Sequence, residues 1–163
     1  MDKSDTEKVI IAGSDFGKGI FSTRDIHKGE TILKVSGKKI PFNGRHVFDL
    51  PEAYYLQVGI DEYILPDEPF LYSNHACDPN SGIDSDMNLI ARRFIKKGEE
   101  IFWDYSTSML EREWTMKCMC GSPFCRHVIL DFDLIPRHLQ NLYLHENLVL
   151  PFIKAYLNKK SIA

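Results

Sequence analysis

Three cysteines stand within eight residues, Cys118, Cys120 and Cys125 in the run CMCGSPFC, and a fourth, Cys77, lies far upstream in NHACDPN. In a chain that is not exported, thiols clustered this tightly suit metal ligation better than disulfides. Zinc takes four tetrahedral sulfur or nitrogen ligands, and the turn Gly121-Ser122-Pro123 lets the chain wrap around an ion. Three ligands are local, so the fourth comes from elsewhere. Cys77 is the only other thiol, and His75 or His127 could stand in its place.

The remaining composition is that of an ordinary folded protein. The chain has 163 residues, 44% hydrophobic and 26% charged, a length that suggests one domain burying roughly 70% of its unfolded-chain surface. A net charge of −3 hides an uneven distribution. Residues 46–91 carry nine acidic side chains and no Lys or Arg, and each flank has an excess of three basic residues. A net-acidic chain is a poor general nucleic-acid binder. No apolar run approaches the roughly 20 residues of a membrane helix, and the start MDKSDTEK lacks a signal-peptide apolar region. The expectation is a soluble, intracellular, cytoplasmic protein with no membrane and no direct nucleic-acid partner.

One short echo runs through the sequence: Arg24 to Ile32 and Arg93 to Ile101 both read R-x-I-x-K-G-E-x-I. Each predicts a strand, a Lys-Gly turn with glycine at positive φ, and a second strand (Thr31 to Val35; Glu100 to Trp103). Further strands are expected at Val9 to Ala12, Gly19 to Ser22, Tyr63 to Leu65 and Asn88 to Phe94. Asp49 followed by Pro51 predicts a short helix through Gln57, because Asp caps a helix and Pro suits its first turn. From Pro136 to Asn158, Leu139, Leu142, Tyr143 and, beyond a break at Pro151, Phe152, Ile153 and Tyr156 recur at helical spacing. That stripe is expected to pack on the body of the protein.

Three other segments carry possible chemistry. Gly17-Lys18-Gly19 alone indicates a turn with close backbone approach, since it lacks the rest of a phosphate loop. Asn74-His75 offers an amide and an imidazole to a ligand. Tyr105, after Trp103 and Asp104, is either a catalytic hydroxyl or a buried aromatic.

Taken together and in order, these segments resemble the SET-domain protein lysine methyltransferases. GKGIFSTRDIHKGETI is similar to that family's N-terminal motif, NHACDPN to its NHxCxPN signature, GEEIFWDYS to its GEELxxDY segment, and CMCGSPFC to its post-SET zinc-binding tail. The resemblance spans about residues 8–130 and is closest to compact bacterial-type members. It implies a mainly β fold of several small sheets with short helices: a SET domain at 8–115, a zinc-bound post-SET segment at 116–130 and a helical tail at 131–163 packed on the domain.

The resemblance also implies roles. S-adenosylmethionine would lie along Gly17, Lys18 and Gly19, with polar contacts from Asn74 and His75. Tyr105 would supply the hydroxyl beside the transferred methyl, and Tyr72 is a second candidate. Trp103 would wall the substrate channel, and Trp114 would line the adenine pocket or that channel. Cys77, Cys118, Cys120 and Cys125 would bind one zinc. The chain departs from the family at Leu71, where an Arg is usual, and at His127, where Gly usually follows the Arg after the cysteines. The first change removes a polar contact near the cofactor; the second alters a turn.

The implied reaction is methylation of a protein lysine, and the acidic stretch around NHACDPN suggests a basic substrate. In a eukaryote the resemblance would place the protein at chromatin. Two alternatives are a catalytically silent zinc-stabilised interaction module and an enzyme that uses the cofactor on a small molecule.

Overall fold

The computed structural model describes residues 8–41, 51, 54–112 and 114–162. Strand β1 (Val9–Ser14) and strand β2 (Gly17–Ser22) form an antiparallel hairpin closed by Asp15 and Phe16. Gly17 takes a φ of 100° there, which glycine adopts without the Cβ clash that other residues suffer. Strands β3 (Thr31–Lys34), β8 (Ser81–Ile83) and β9 (Asn88–Ala91) make a three-stranded sheet in the order β3-β9-β8. Strands β4 (Gly37–Ile40), β5 (Leu56–Gly59) and β6 (Glu62–Pro66) make another, in the order β4-β6-β5. Strand β7 (Asn74–His75) pairs in parallel with β10 (Phe102–Trp103), and β11 (Met116–Lys117) pairs antiparallel with β12 (Val128–Ile129). The mainly β architecture of small sheets expected from the sequence is present.

The helix expected from Asp49 through Gln57 is not formed at its C-terminal end. Leu56 and Gln57 belong to β5 and pair with β6, and Asp49, Leu50, Glu52 and Ala53 lie outside the described residues. The buried Gln57 side chain accepts the Leu110 amide at 2.7 Å through Oε1. Strand pairing and this long-range bond outweigh a local capping signal, as tertiary context routinely does. The strand expected over Asn88 to Phe94 ends at Ala91, with Ile95 returning as an isolated bridge to Ile26.

Two helices follow, α1 (Arg137–His145) and α2 (Pro151–Ile162), with the break at Pro151 as expected. Tyr143 and Ile153 are buried together with Leu110, Phe132 and Val149, while Leu139, Phe152 and Tyr156 pack at the edge of that cluster. Leu142 is the exception, 40% exposed, because it sits about 100° around the helix from inward-facing Tyr143. The main core is aliphatic: Ile20, Ile26, Ile32, Leu89, Ile95 and Ile101 are fully buried in one cluster. Among the described residues no helix is long and apolar enough to cross a membrane.

Candidate active site and cysteine cluster

The two motifs that carry polar chemistry are brought side by side by a sheet of two two-residue strands. In the parallel pair β7–β10, Asn74 lies opposite Phe102 and His75 opposite Trp103. Asn80, at the end of NHACDPN and 1% exposed, locks this pairing. Its Oδ1 accepts the Phe102 amide at 2.9 Å and its Nδ2 donates to the Glu100 carbonyl at 2.7 Å. Ser81 Oγ adds a bond to the Phe102 carbonyl at 2.7 Å.

Two cavities open around the pair. The larger, about 830 Å³, is walled by Gly17 and Lys18 of the first hairpin, by Tyr72, Asn74 and His75, and by Met116 to Cys120 of the cysteine segment. The smaller, about 50 Å³, is a narrow channel between Gln57, Tyr63, Phe70, Trp103, Met109 and Trp114. Tyr54, Leu71, Ser73 and Tyr105 line both. At this junction the Tyr105 hydroxyl donates to the Ser73 carbonyl at 2.9 Å, and the Tyr105 ring packs on Trp103 and His75 at centroid distances of 4.8 and 5.3 Å. Burial, with the Tyr54 hydroxyl nearby, pushes the Tyr105 pKa well above that of an ordinary phenol, so the hydroxyl stays protonated at neutral pH.

The residues singled out from the sequence divide between these spaces. Gly17, Lys18, Asn74 and His75 line the large cavity. Gly19 lies beneath it: a Cβ there would sit 2.3 Å from Glu100 Oε1. Asn74 Nδ2 donates to the Lys18 carbonyl and to Glu100 Oε1, both at 2.9 Å, tying the hairpin to β7. Tyr72 lines the large cavity and not the channel. Its hydroxyl donates to Glu68 Oε1 at 3.1 Å, and Lys18 Nζ stands 4.5 Å from its ring centre. Trp103 and Trp114 face the channel, and Trp114 also packs against the cysteines.

His75 has little left to offer a ligand. Burial holds its pKa down to about 4, against the pull of Asp104, so the ring is neutral. Nδ1 accepts the Tyr105 amide at 3.2 Å, which places the proton on Nε2, 3.4 Å from Cys77 Sγ. The imidazole therefore connects the tyrosine's backbone to the cysteine cluster.

Cys77, Cys118, Cys120 and Cys125 bring their Sγ atoms within 4.8 Å of one another. Cys77 and Cys118 are 3.7 Å apart, close to the edge of about 3.8 Å that a tetrahedron of 2.3 Å zinc–sulfur bonds requires. Backbone amides point at the sulfurs: Arg126 at Cys77 (3.3 Å), Cys77 at Cys120 (3.5 Å) and His127 at Cys125 (3.4 Å). Such donors stabilise thiolates. Burial pushes the Cys77 thiol up to about 11, whereas at Cys120 the amide hydrogen bonds outweigh burial and bring it to about 7. The donor set fits zinc, and of the three candidates for the distant position it is Cys77 that joins the cluster. His127 takes a φ of 65°, the left-handed turn that glycine adopts freely.

Asp104 and Glu100 entered the sequence reading only as members of the GEEIFWDYS segment, and Tyr54, Ser73 and Glu111 were not singled out. Asp104 is buried and receives both Arg126 terminal nitrogens at 2.7 Å and the Tyr143 hydroxyl at 2.9 Å. Burial alone would raise its pKa; the Arg126 hydrogen bonds overcome this and hold it below the usual carboxylate range. Glu100 wedges between Ser14, Gly19 and Asn74. Tyr54, Ser73 and Glu111 line the channel. Only the packing of distant segments reveals what these residues meet.

The acidic block is not arranged as its closeness to NHACDPN suggested. None of its described members lines either cavity. Glu62 pairs with Lys39, Asp84 caps the β8–β9 turn, and Glu68 reaches the cavity wall through Tyr72. Among the described residues the lining carboxylates are Asp15 and Glu111, from outside the block. Alternating strands and turns send neighbouring side chains to different faces, so proximity in sequence does not gather charge at a site.

Residues 17–106 match the family model described as SET domain. The chain is 30% identical over 129 residues to "Histone-lysine N-methyltransferase trr" of Drosophila melanogaster, covering 68% of this chain and 5% of that protein. It is 32% identical over 130 residues to "Variant-silencing SET domain-containing protein" of Plasmodium falciparum, covering 67% of this chain and again 5% of the relative. The chain thus spans a small part of the curated relatives it matches. A crystal structure of a Plasmodium falciparum protein provisionally assigned as a histone methyltransferase superposes with a TM-score of 0.51 at 26% identity, covering 60% of this chain and 92% of that one.

Proposed function

The chain belongs to the SET-domain family, and from that premise we propose that it is an S-adenosylmethionine-dependent methyltransferase acting on the side-chain amine of lysine in a protein. The observation that carries this reading is that a narrow channel and a large cavity share a wall formed by Tyr54, Leu71, Ser73 and Tyr105. A lysine side chain suits the first and a nucleoside-sized cofactor the second. At about 830 Å³ the cavity falls within the usual range for small-molecule sites, roughly 300–1,000 Å³. The Gly17 to Gly19 backbone, the Asn74 carbonyl oxygen of the side chain and the Lys18 ammonium are the groups that would hold the cofactor's polar ends.

When bound along that cavity, S-adenosylmethionine would supply an electrophilic methyl group on a sulfonium sulfur that can take back the C–S electron pair. The protein's task is to present the lysine lone pair. Lysine has a reference pKa of about 10.4, so deprotonation at pH 7 costs about 4.6 kcal/mol. Apolar Trp103, Phe70, Leu71 and Met109 around the channel disfavour the ammonium form by desolvation. Tyr105, whose O–H is directed at the Ser73 carbonyl as a hydrogen-bond donor, keeps oxygen lone pairs free to accept an amine N–H and orient the nucleophile. Most of the catalysis is positioning.

One zinc ion held by Cys77, Cys118, Cys120 and Cys125 would close the post-SET segment, 116–130, against the cavity that Met119 and Cys120 line. The SET domain at 8–115 and the tail at 131–163 complete the organisation. Histones, in the relatives' names, suggest a lysine-rich substrate and, in a eukaryote, a chromatin location. Asp15 and Glu111 are the carboxylates placed to attract it.

The test is to incubate zinc-loaded protein with methyl-labelled cofactor and with histones and basic peptides, then map the label by mass spectrometry. Label on lysine, with turnover reduced at least about 100-fold in Tyr105→Phe while cofactor affinity is little changed, is the expected outcome. No label on any protein lysine, or label on a small molecule instead, would refute the reading.

A further inference from the structure

Among the described residues three buried side-chain polar atoms lack a hydrogen-bond partner: Ser73 Oγ, Trp103 Nε1 and Arg126 Nε. Two of the three, on residues each 5% exposed, line the narrow channel. Native interiors rarely leave such atoms unpaired unless a ligand or an ordered water completes them. Ser73 stands out because its other polar groups are taken. Its amide donates to the Phe70 carbonyl at 2.8 Å and its carbonyl accepts the Tyr105 hydroxyl at 2.9 Å. The hydroxyl is left over at the junction of channel and cavity.

We propose that Ser73 Oγ is a second acceptor for the target amine, beside the Tyr105 hydroxyl, and that it limits how many methyl groups the lysine receives. This rests on the methyltransferase reading above. A neutral amine has one lone pair, which must face the methyl donor, and two N–H groups, which need two acceptors. Tyr105 and Ser73, joined through the Ser73 carbonyl, would supply them. A monomethylated amine retains one N–H and a dimethylated amine none, so each added methyl leaves one acceptor unpaired and opposite a carbon. Trp103 Nε1 donates only and cannot hold an amine N–H; it suits a water or carbonyl oxygen entering with the substrate.

The test compares zinc-loaded wild type, Ser73→Ala and Ser73→Thr on an unmethylated lysine peptide and on its monomethylated form, with products read by mass spectrometry and S-adenosylhomocysteine affinity by calorimetry. Wild type should favour the unmethylated peptide and stop at low methylation. Ser73→Ala should raise the ratio of higher-methylated to monomethylated product by about fivefold, the equivalent of one hydrogen bond, with cofactor-product affinity unchanged. Ser73→Thr, which retains the hydroxyl, should keep the wild-type distribution. A wild-type distribution in Ser73→Ala, or equal loss of activity in Ala and Thr variants, would overturn the proposal. Wild type that methylates no lysine would instead overturn the methyltransferase reading, and this proposal with it.

Discussion

Ile26 and Ile95 exchange both backbone hydrogen bonds, at 2.9 and 3.0 Å, and both side chains are fully buried. They are matching positions of the R-x-I-x-K-G-E-x-I echo, and the bonds around them repeat with a two-fold pattern. Gly29 donates to the Ala91 carbonyl at 2.8 Å and Gly98 to the Ser22 carbonyl at 2.7 Å; Ala91 and Ser22 donate back to the Glu30 and Glu99 carbonyls, each at 3.0 Å. The two glycines have φ of 81° and 82°. Glu30 and Glu99 each cap their own turn, accepting the amides of His27 and Lys96. The echo is thus one structural unit used twice, with the copies packed face to face at the centre of the main core.

Truncating either isoleucine to alanine should therefore destabilise the protein by about 2–5 kcal/mol. Because the two touch the same core volume, the double variant should cost less than the sum of the single ones. Urea melts of the four proteins check this, and strictly additive costs would count against a shared centre.

The cysteine cluster predicts one zinc per chain. Its removal by a chelator should lower the melting temperature by more than about 10 °C, at the 2–4 °C per kcal/mol expected for a chain of this size. Zinc release measured with a chromogenic chelator should parallel the unfolding. Unchanged melting and four freely reactive thiols in the native protein would contradict a metal site. His75 and Arg126 both reach from the cluster to the Asp104–Tyr105 segment. Cys77→Ser should accordingly reduce turnover even where the fold survives.

Asp133 predicts an acid-sensitive step. The Arg112 guanidinium, bonded to it at 2.7 and 2.5 Å, holds its carboxyl below the usual range, with Lys160 assisting. A carboxyl whose pKa is lower when folded adds stability above its unfolded value, about 3.9, and loses it as pH falls through the folded value. Asp133→Asn should cost about 1 kcal/mol at neutral pH, a low figure because Arg112 is partly exposed. The difference from wild type should shrink as pH falls below the unfolded value and through the lower folded one, as read in pH-dependent thermal melts.

His127 sits in a left-handed conformation that disfavours any residue with a Cβ. His127→Gly should raise stability or leave it unchanged, by up to about 1 kcal/mol, and should not alter zinc content. A clear loss of stability would show that the imidazole contributes an interaction that outweighs the backbone strain.

The motifs were readable because each depends on local chemistry. The thiol spacing of Cys118, Cys120 and Cys125, the Lys-Gly turns at positions 28–29 and 97–98, and the apolar spacing around Tyr143 and Ile153 all express short-range geometry. The segment before β5 misled because capping preferences at Asp49 and Pro51 say nothing of the strand partner that Leu56 and Gln57 meet in β6. The acidic block misled for a related reason, since net charge carries no direction in space.

What the amino-acid sequence determined by itself was the set of chemical groups and the family they belong to, together with the strand-and-turn units between them. The tertiary structure decided which groups meet. It selected Cys77 over His75 and His127, assigned Tyr72 to the large cavity and Tyr105 to the channel mouth, and placed Asp104, Arg126 and Ser73 around that tyrosine. Such meetings join residues tens of positions apart through buried hydrogen bonds, whose strength depends on desolvation and geometry that no local stretch of chain specifies.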